Sequence, residues 1–207
     1  MIRPVLLAAL AVVAACEEEL ELPDATGGRG LVTIIDTGGE DGKTGWWPSV
    51  AFAPDDTPHI SYCDAHLGNL MHATRTNGEW QTEVVEHWGA VGKYSALAVD
   101  SKGNPGIGFY DQGHKYLRYA WREEGVWKTE RIAWGLEIGQ GSEIAFDAED
   151  VPHLFYYVPS GRLVHSWRTG PGNWDAETVA EAVGGFSARI SVTPRSDGYW
   201  VSFVNWG

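Results

Sequence analysis

Asp64 and Asp111 stand 47 residues apart, and a histidine follows each, His66 after the first and His114 after the second. Carboxylate and imidazole together can hold sugar hydroxyls, relay a proton or ligate a metal. Nearby lie aromatic side chains of the kind on which the apolar face of a sugar stacks: Trp47, Trp88, Tyr94 and Trp134. These residues form the candidate ligand-binding set. Metal ligation is the weaker reading, because no HxH, HExxH or CxxC spacing accompanies the pair. No metal and no cofactor is expected. The acidic turns Asp55-Asp56 and Asp147-Ala148-Glu149-Asp150 lack a DxDxDG calcium loop and read as solvated. A plainer reading of Asp64 and Asp111 is that each caps a strand end through backbone N–H groups. Glycoside cleavage would need two carboxylates flanking the bond. Glu40, Asp41, Glu137, Asp64 and Asp111 are available, but their spacing sets no nucleophile against a base, and no catalytic residue is assigned.

The two aspartates belong to a repeat that runs through most of the chain. Pro58, Pro105 and Pro152 share one position, and Trp80, Trp127 and Trp174 another. Tyr62, Phe109, Tyr156 and Phe203 share a third, and Asp64, Asp111, Val158 and Asn205 a fourth. The best-preserved copy is Ser95 to Ile132. Each copy holds four strand signals: an alternating strand, a Pro-led aromatic strand, a short third strand, and a Trp-led fourth after a glycine turn. Four antiparallel strands per repeat of this length predict an all-β fold, a β-propeller of four-stranded blades. A β-sandwich would give no reason for a fixed 47-residue step.

The predicted blades are 49–86, 95–133 and 142–180, with a partial blade over 187–207 and a lone outer strand over 31–36. About four blades are therefore present, in a truncated or incompletely closed ring, and the stop at Trp206-Gly207 just past a strand favours a fragment of a longer propeller. The repeated Trp is expected to wedge between blades. Glu83, Glu130 and Glu177, on the outermost strands, read as exposed charges that discourage edge pairing. His59 and His153 read as hydrogen-bonded blade-edge residues. The first strand of each blade lines the channel. The loops from fourth to first strand and from second to third strand then share one face, which carries the candidate set.

Composition narrows the function classes. The 207-residue chain carries a formal net charge of −13, with acid spread along its length and no basic stripe to meet phosphates, so no nucleic acid is expected as a partner. Two cysteines exclude a disulfide framework, and Cys63 within a strand reads as a small buried residue. Residues 1–15 read as a secretory signal: Arg3, an apolar run from Val5 to Val13, then small residues, too short to span a bilayer.

Val13-Ala14-Ala15-Cys16 resembles the bacterial lipobox, which implies lipid attachment at Cys16 and a lipoprotein held to the membrane by lipid alone. Residues 16–30, acidic and then glycine-containing, read as a tether. Glu17 after the cysteine resembles the enterobacterial sorting signal for the outer membrane or cell surface over the inner membrane. The expected location is the bacterial cell envelope.

The phrases PHISYCD and GNPGIGFYD, with LRYA and GVW after the second, resemble the repeats of bacterial secreted propellers of the sialidase/BNR-like group, over residues 31–207. The resemblance implies architecture more than chemistry. That group's Asp-box, Ser-x-Asp-x-Gly-x-Thr-Trp, survives only as an echo in Thr74 to Trp80, which keeps Gly78 and Trp80 without the Asp. Its enzymes grip a substrate carboxylate with three arginines. Arg75, Arg118, Arg162, Arg168 and Arg189 are present, but no three take equivalent inner positions. The sequence therefore favours a binding or interaction module with a glycan or a protein on the loop face. A glycoside-processing enzyme of sialidase-like fold and a structural surface protein without a small ligand stand as alternatives.

Overall fold

The computed structural model describes residues 21–23, 29–31, 35–38, 42–181, 190–195 and 198–203. The expected signal segment, Cys16 and most of the expected tether lie outside the described residues. So do parts of the predicted outer strand over 31–36 and of the predicted blade over 187–207.

Two short strands, β1 (Glu21–Pro23) and β2 (Arg29–Leu31), pair with each other. Three four-stranded antiparallel sheets follow. Blade one holds β3 (Trp46–Phe52), β4 (Pro58–Asp64), β5 (Asn69–Thr76) and β6 (Glu79–Glu86). Blade two holds β7 (Lys93–Val99), β8 (Pro105–Asp111), β9 (Tyr116–Glu123) and β10 (Val126–Trp134). Blade three holds β11 (Gln140–Phe146), β12 (Pro152–Val158), β13 (Arg162–Gly170) and β14 (Asn173–Ala180). A two-stranded sheet, β15 (Ser191–Arg195) and β16 (Gly198–Ser202), begins a fourth. The innermost strands β3, β7, β11 and β15 pack in that order, and no comparable packing joins β15 to β3 among the described residues. The fold is a β-propeller with an incompletely closed ring.

The 47-residue step has a backbone cause. Each turn between first and second strand needs one residue at positive φ, and Asp56, Gly103 and Asp150 supply it at 65°, 87° and 62°. In that turn, Asp100 and Asp147 each accept backbone N–H bonds through Oδ1, from Lys102 and Asn104 and from Glu149 and Val151. Proline then opens β4, β8 and β12, the strand position where its missing N–H is tolerated. A second device sits in the inner strands, where Trp47, Tyr94 and Gly141 take φ of 51°, 54° and 62° and the pairing register slips. The bulges turn carbonyls outward to the next blade. Ser95 Oγ donates to Trp47 O at 2.7 Å, and Ser142 Oγ donates to Tyr94 O at 3.0 Å.

Three apolar clusters lie between blades. Leu97, Ile107 and Phe109 of blade two pack with Leu70 and Val85 of blade one, and Tyr119 of blade two with Leu154 and Tyr156 of blade three. Phe155, Tyr157 and Leu163 meet Ile190 and Val192. Each fully buried side chain of this size contributes about 1.5–3 kcal/mol. Trp127 packs edge-on against His72 of blade one, and Trp174 edge-on against Tyr119 of blade two, so each wedges against the preceding blade. Trp80 packs with Ile60, Tyr62 and Ala73, a cluster also met by Ile35. A Cβ at Gly108 would stand 2.5 Å from Leu154 Cδ2 across the joint. Gly108→Ala should therefore cost about 1–3 kcal/mol in urea denaturation.

Two expectations need correction. Residues 35–38 form no strand, because their partners lie on the blade face: Asp36 Oδ2 accepts the Tyr62 hydroxyl at 2.7 Å. Glu130 is not an exposed edge charge. Arg168 of the next blade grips both its oxygens, at 2.8 and 3.0 Å, and Trp174 Nε1 and Gly172 N donate to it as well. Glu83 and Glu177 accept hydrogen bonds from the buried rings of His72 and His165, while the Glu177 side chain stays 61% exposed, as expected. His59 and His153, in turn, are links in those chains, bonded to His72 at 3.0 Å and His165 at 2.8 Å.

Candidate functional site

Where blade one meets blade two, the two loops of the upper face are tied together. Gly113 N donates to Gly89 O at 2.6 Å and Gln112 N to Ala90 O at 3.3 Å. Beneath them Asp111 is fully buried. Its Oδ1 accepts His114 N at 2.9 Å, and its Oδ2 meets His114 Nδ1 at 2.9 Å and Arg118 Nη1 at 3.3 Å. Arg118 spans the joint: Nη2 reaches Glu86 Oε2 of blade one at 3.0 Å and also donates to Thr129 Oγ1. Thr129 Oγ1 in turn donates to Glu86 Oε2 at 3.2 Å. Gly89 is required there, because a Cβ would lie 2.7 Å from Asp111 Oδ1 and its φ is +101°.

The corresponding place between blades two and three is open. A cavity of about 710 Å³ lies there, floored by Ile138, Tyr156 and Val164 and rimmed by Trp134, Glu137 and Arg162. Glu137, at φ 56°, is fixed by its N–H donating to the Tyr110 hydroxyl at 3.0 Å. Arg162 is held by Ser160 Oγ at 3.2 Å and Thr178 Oγ1 at 3.4 Å.

A third feature lines the start of the inner strands. Trp47 lies edge-on to Tyr94 with ring centres 5.5 Å apart, and Tyr94 lies 6.4 Å from Tyr110. Lys93 Nζ sits 5.5 Å over the Trp47 ring, and half-exposed Trp46 lies against it. Burial raises the Tyr94 hydroxyl above its ordinary value.

The candidate set is thus divided rather than gathered. Trp47 and Tyr94 share the inner-strand row. Asp111 and His114 belong to the first joint, where the Asp111 carboxylate is enclosed by protein partners and not presented to solvent. Trp88, 69% exposed, stands beside that joint with its ring against His87. Asp64 caps its own turn, accepting His66 N at 2.9 Å and Leu67 N at 3.1 Å, and His66 is exposed. Trp134, 78% exposed, stands at the mouth of the second joint. Glu86, Thr129 and Val164 escaped sequence reasoning, and Arg118, Arg162 and Tyr156 were noticed there without being placed in a site. Val158 at the Asp64/Asp111 position was the available signal. Cys63 is buried, its thiol pushed up to about 11 by burial, and its Sγ points to Val91 O. No cluster of three or more His, Cys, Asp or Glu able to hold a metal occurs among the described residues.

No family model matches the chain, and no curated protein matches it. Among solved structures it is similar to a protein of unknown function from Dyadobacter fermentans, with a TM-score of 0.58 and 11% identity. That match covers 76% of this chain and 49% of the other, so the chain spans about half the length of that relative. A fucose lectin from Kordia zhangzhouensis in complex with methyl-fucoside aligns with a TM-score of 0.43 and 13% identity, over 63% of this chain and 96% of the lectin. Likeness at this level of identity is one of fold alone.

Proposed function

We propose that the chain is a glycan-binding propeller module, anchored in the bacterial cell envelope through lipid on Cys16. The observation that carries this reading is the exposure of Trp88, just past β6, and Trp134, the last residue of β10, where the fourth strands of neighbouring blades end. Trp127 and Trp174 are wedged against the preceding blade, whereas these two indoles stand in water beside the two joints, a surface suited to meeting something else. Beside them stand groups that bind hydroxyls: His114 near the first joint, Arg162 and Glu137 at the second. The enzyme reading is less well supported, because Asp111 and Glu86 of this face are both committed to Arg118.

A glycan array probed with the purified protein tests the reading. Binding to a defined subset of glycans is expected, and the Trp88→Ala/Trp134→Ala double variant should lose at least tenfold in affinity, about 1.4 kcal/mol, with an unchanged Tm. An array without signal removes the glycan reading. The anchor has its own measurement: Cys16→Ser should shift the protein from the membrane fraction to the soluble fraction and end fatty-acid labelling.

A further inference from the structure

The two joints between complete blades are built from matching positions, and they have opposite chemistry. Val158 stands at the place of Asp111, 47 residues on, and Ala133 at that of Glu86. Val164 pairs with Tyr156 as Arg118 pairs with Phe109, and Ala176 pairs with Ser166 as Thr129 pairs with Ala120. All four members of the buried polar network are thus small apolar residues at the second joint. The hairpin above it is also one residue shorter, closing from Val158 to Arg162 where blade two closes from Asp111 to Tyr116. These changes leave the cavity of about 710 Å³. A volume of that order suits a small ligand.

The walls specify the occupant. The floor is apolar and buried, made by Ile138, Val164 and the Tyr156 ring, whose hydroxyl is occupied by Ser166 Oγ at 3.0 Å. Polar groups are confined to the rim, where Arg162 is oriented by two side-chain partners and Glu137 by its backbone bond to Tyr110. Trp134 and Leu136, 78% and 62% exposed, stand at the mouth. An apolar floor with hydrogen-bonding groups only at its edge matches a ring that has one apolar face and a girdle of hydroxyls. Charge narrows the class further: Glu137 and Glu177 face one guanidinium, in a chain of net charge −13. An acidic sugar would meet net repulsion. We propose that the joint between blades two and three binds a neutral pyranose residue, with Trp134 against its apolar face. This rests on the glycan-binding reading above and places its site at one joint and not the other.

The test is a titration of the full chain with neutral methyl glycosides of galactose, mannose and N-acetylglucosamine, and with a methyl sialoside, followed by indole and amide NMR shifts. At least one neutral glycoside should give saturable shifts at Trp134 and residues 135–138, with the sialoside at least tenfold weaker. Trp134→Ala should weaken binding at least tenfold, and Trp88→Ala should leave it within twofold. Val158→Asp/Val164→Arg, which copies the filled joint, should abolish it. Val164→Met, a gentler filling without new charge, should weaken it severalfold with the spectrum otherwise intact. Binding that survives the Trp134 and Val164 variants but fails in Trp88→Ala overturns the assignment of the site and leaves the glycan reading standing. No saturable shift with any neutral glycoside overturns the site, and the glycan reading then rests on the array alone. A sialoside that binds as tightly as the neutral sugars overturns the ligand class.

Discussion

Arg118→Ala is expected to destabilise the protein by about 3–5 kcal/mol, the cost of leaving a buried charge without its partner. The side chain carries the guanidinium that bonds Asp111, fully buried, to Glu86, whose side chain is 13% exposed; the other guanidinium across this joint, Arg122, is paired with Glu83. Its removal leaves two carboxylates facing a space with no cation. Asp111 would still hold His114 through N and Nδ1, and Glu86 would keep Thr129 and the backbone N–H of His87. Those bonds preserve the loops while the charge is left uncompensated. Asp111→Asn/Arg118→Met removes the fully buried carboxylate together with the cation, keeps an acceptor for His114 N, and leaves only Glu86, which Thr129 and the His87 N–H still hold. It should recover part of the loss, giving a coupling energy of at least about 1 kcal/mol in the cycle. Urea denaturation of the four proteins measures it. A cost below about 1 kcal/mol for Arg118→Ala, or additive single losses, would mean that solvent reaches the joint and the network is ornamental.

The blade pattern was legible because its cause is local. A turn that needs positive φ must have Asp or Gly in the right place, and Asp56, Gly103 and Asp150 recur at the same step as the prolines that follow them. The repeated Trp was legible for a related reason, since each fourth strand meets the preceding blade in the same way. What the strand pattern hid is whatever one blade does to the next. Glu130 alternates outward from its own sheet, and only the approach of Arg168, 38 residues on, makes it a clamp. Asp111 is a capping residue by type, as Asp64 is, yet it alone is sealed off, because the Gly89 and Gly113 backbones close over it. A carboxylate that caps a turn and one that faces a ligand are the same residue type, so the sequence left both readings open. The second joint inverts the lesson: its signal was the place where the repeat fails, Val158, and repetition draws the eye to what recurs.

Acidification from pH 7.5 to pH 5 should remove stability through His72, by about 2 kcal/mol at pH 5 and about 3 kcal/mol near pH 4. Its side chain is 1% exposed, and burial pushes its pKa down to about 4 from an ordinary 6.5. The folded protein therefore holds this ring neutral while the unfolded chain protonates at 6.5. The contribution is complete above that pH and is lost as pH falls toward 4. Bonding fits the neutral form, since His72 Nδ1 donates to Glu83 and Nε2 accepts from His59 Nδ1, whose own pKa burial also lowers. Glu143 acts with the opposite sign: burial raises its carboxyl to about 7, so its contribution grows as pH falls from 7 to 4.5. The informative quantity is thus a difference of slopes. His72→Gln should flatten the dependence of the urea midpoint on pH between 7.5 and 5, and Glu143→Gln should steepen it; identical slopes in all three proteins would sink the account. Blade three holds the same pair with one addition, Asp147 Oδ2 at 3.2 Å from His153 Nε2. Protonated His153 would donate to both Asp147 and His165, so that chain has a place for the proton that blade one lacks. Hydrogen exchange at pH 5 should accordingly show β4 and β5 opening before β12 and β13, and Asp147→Asn should abolish that order.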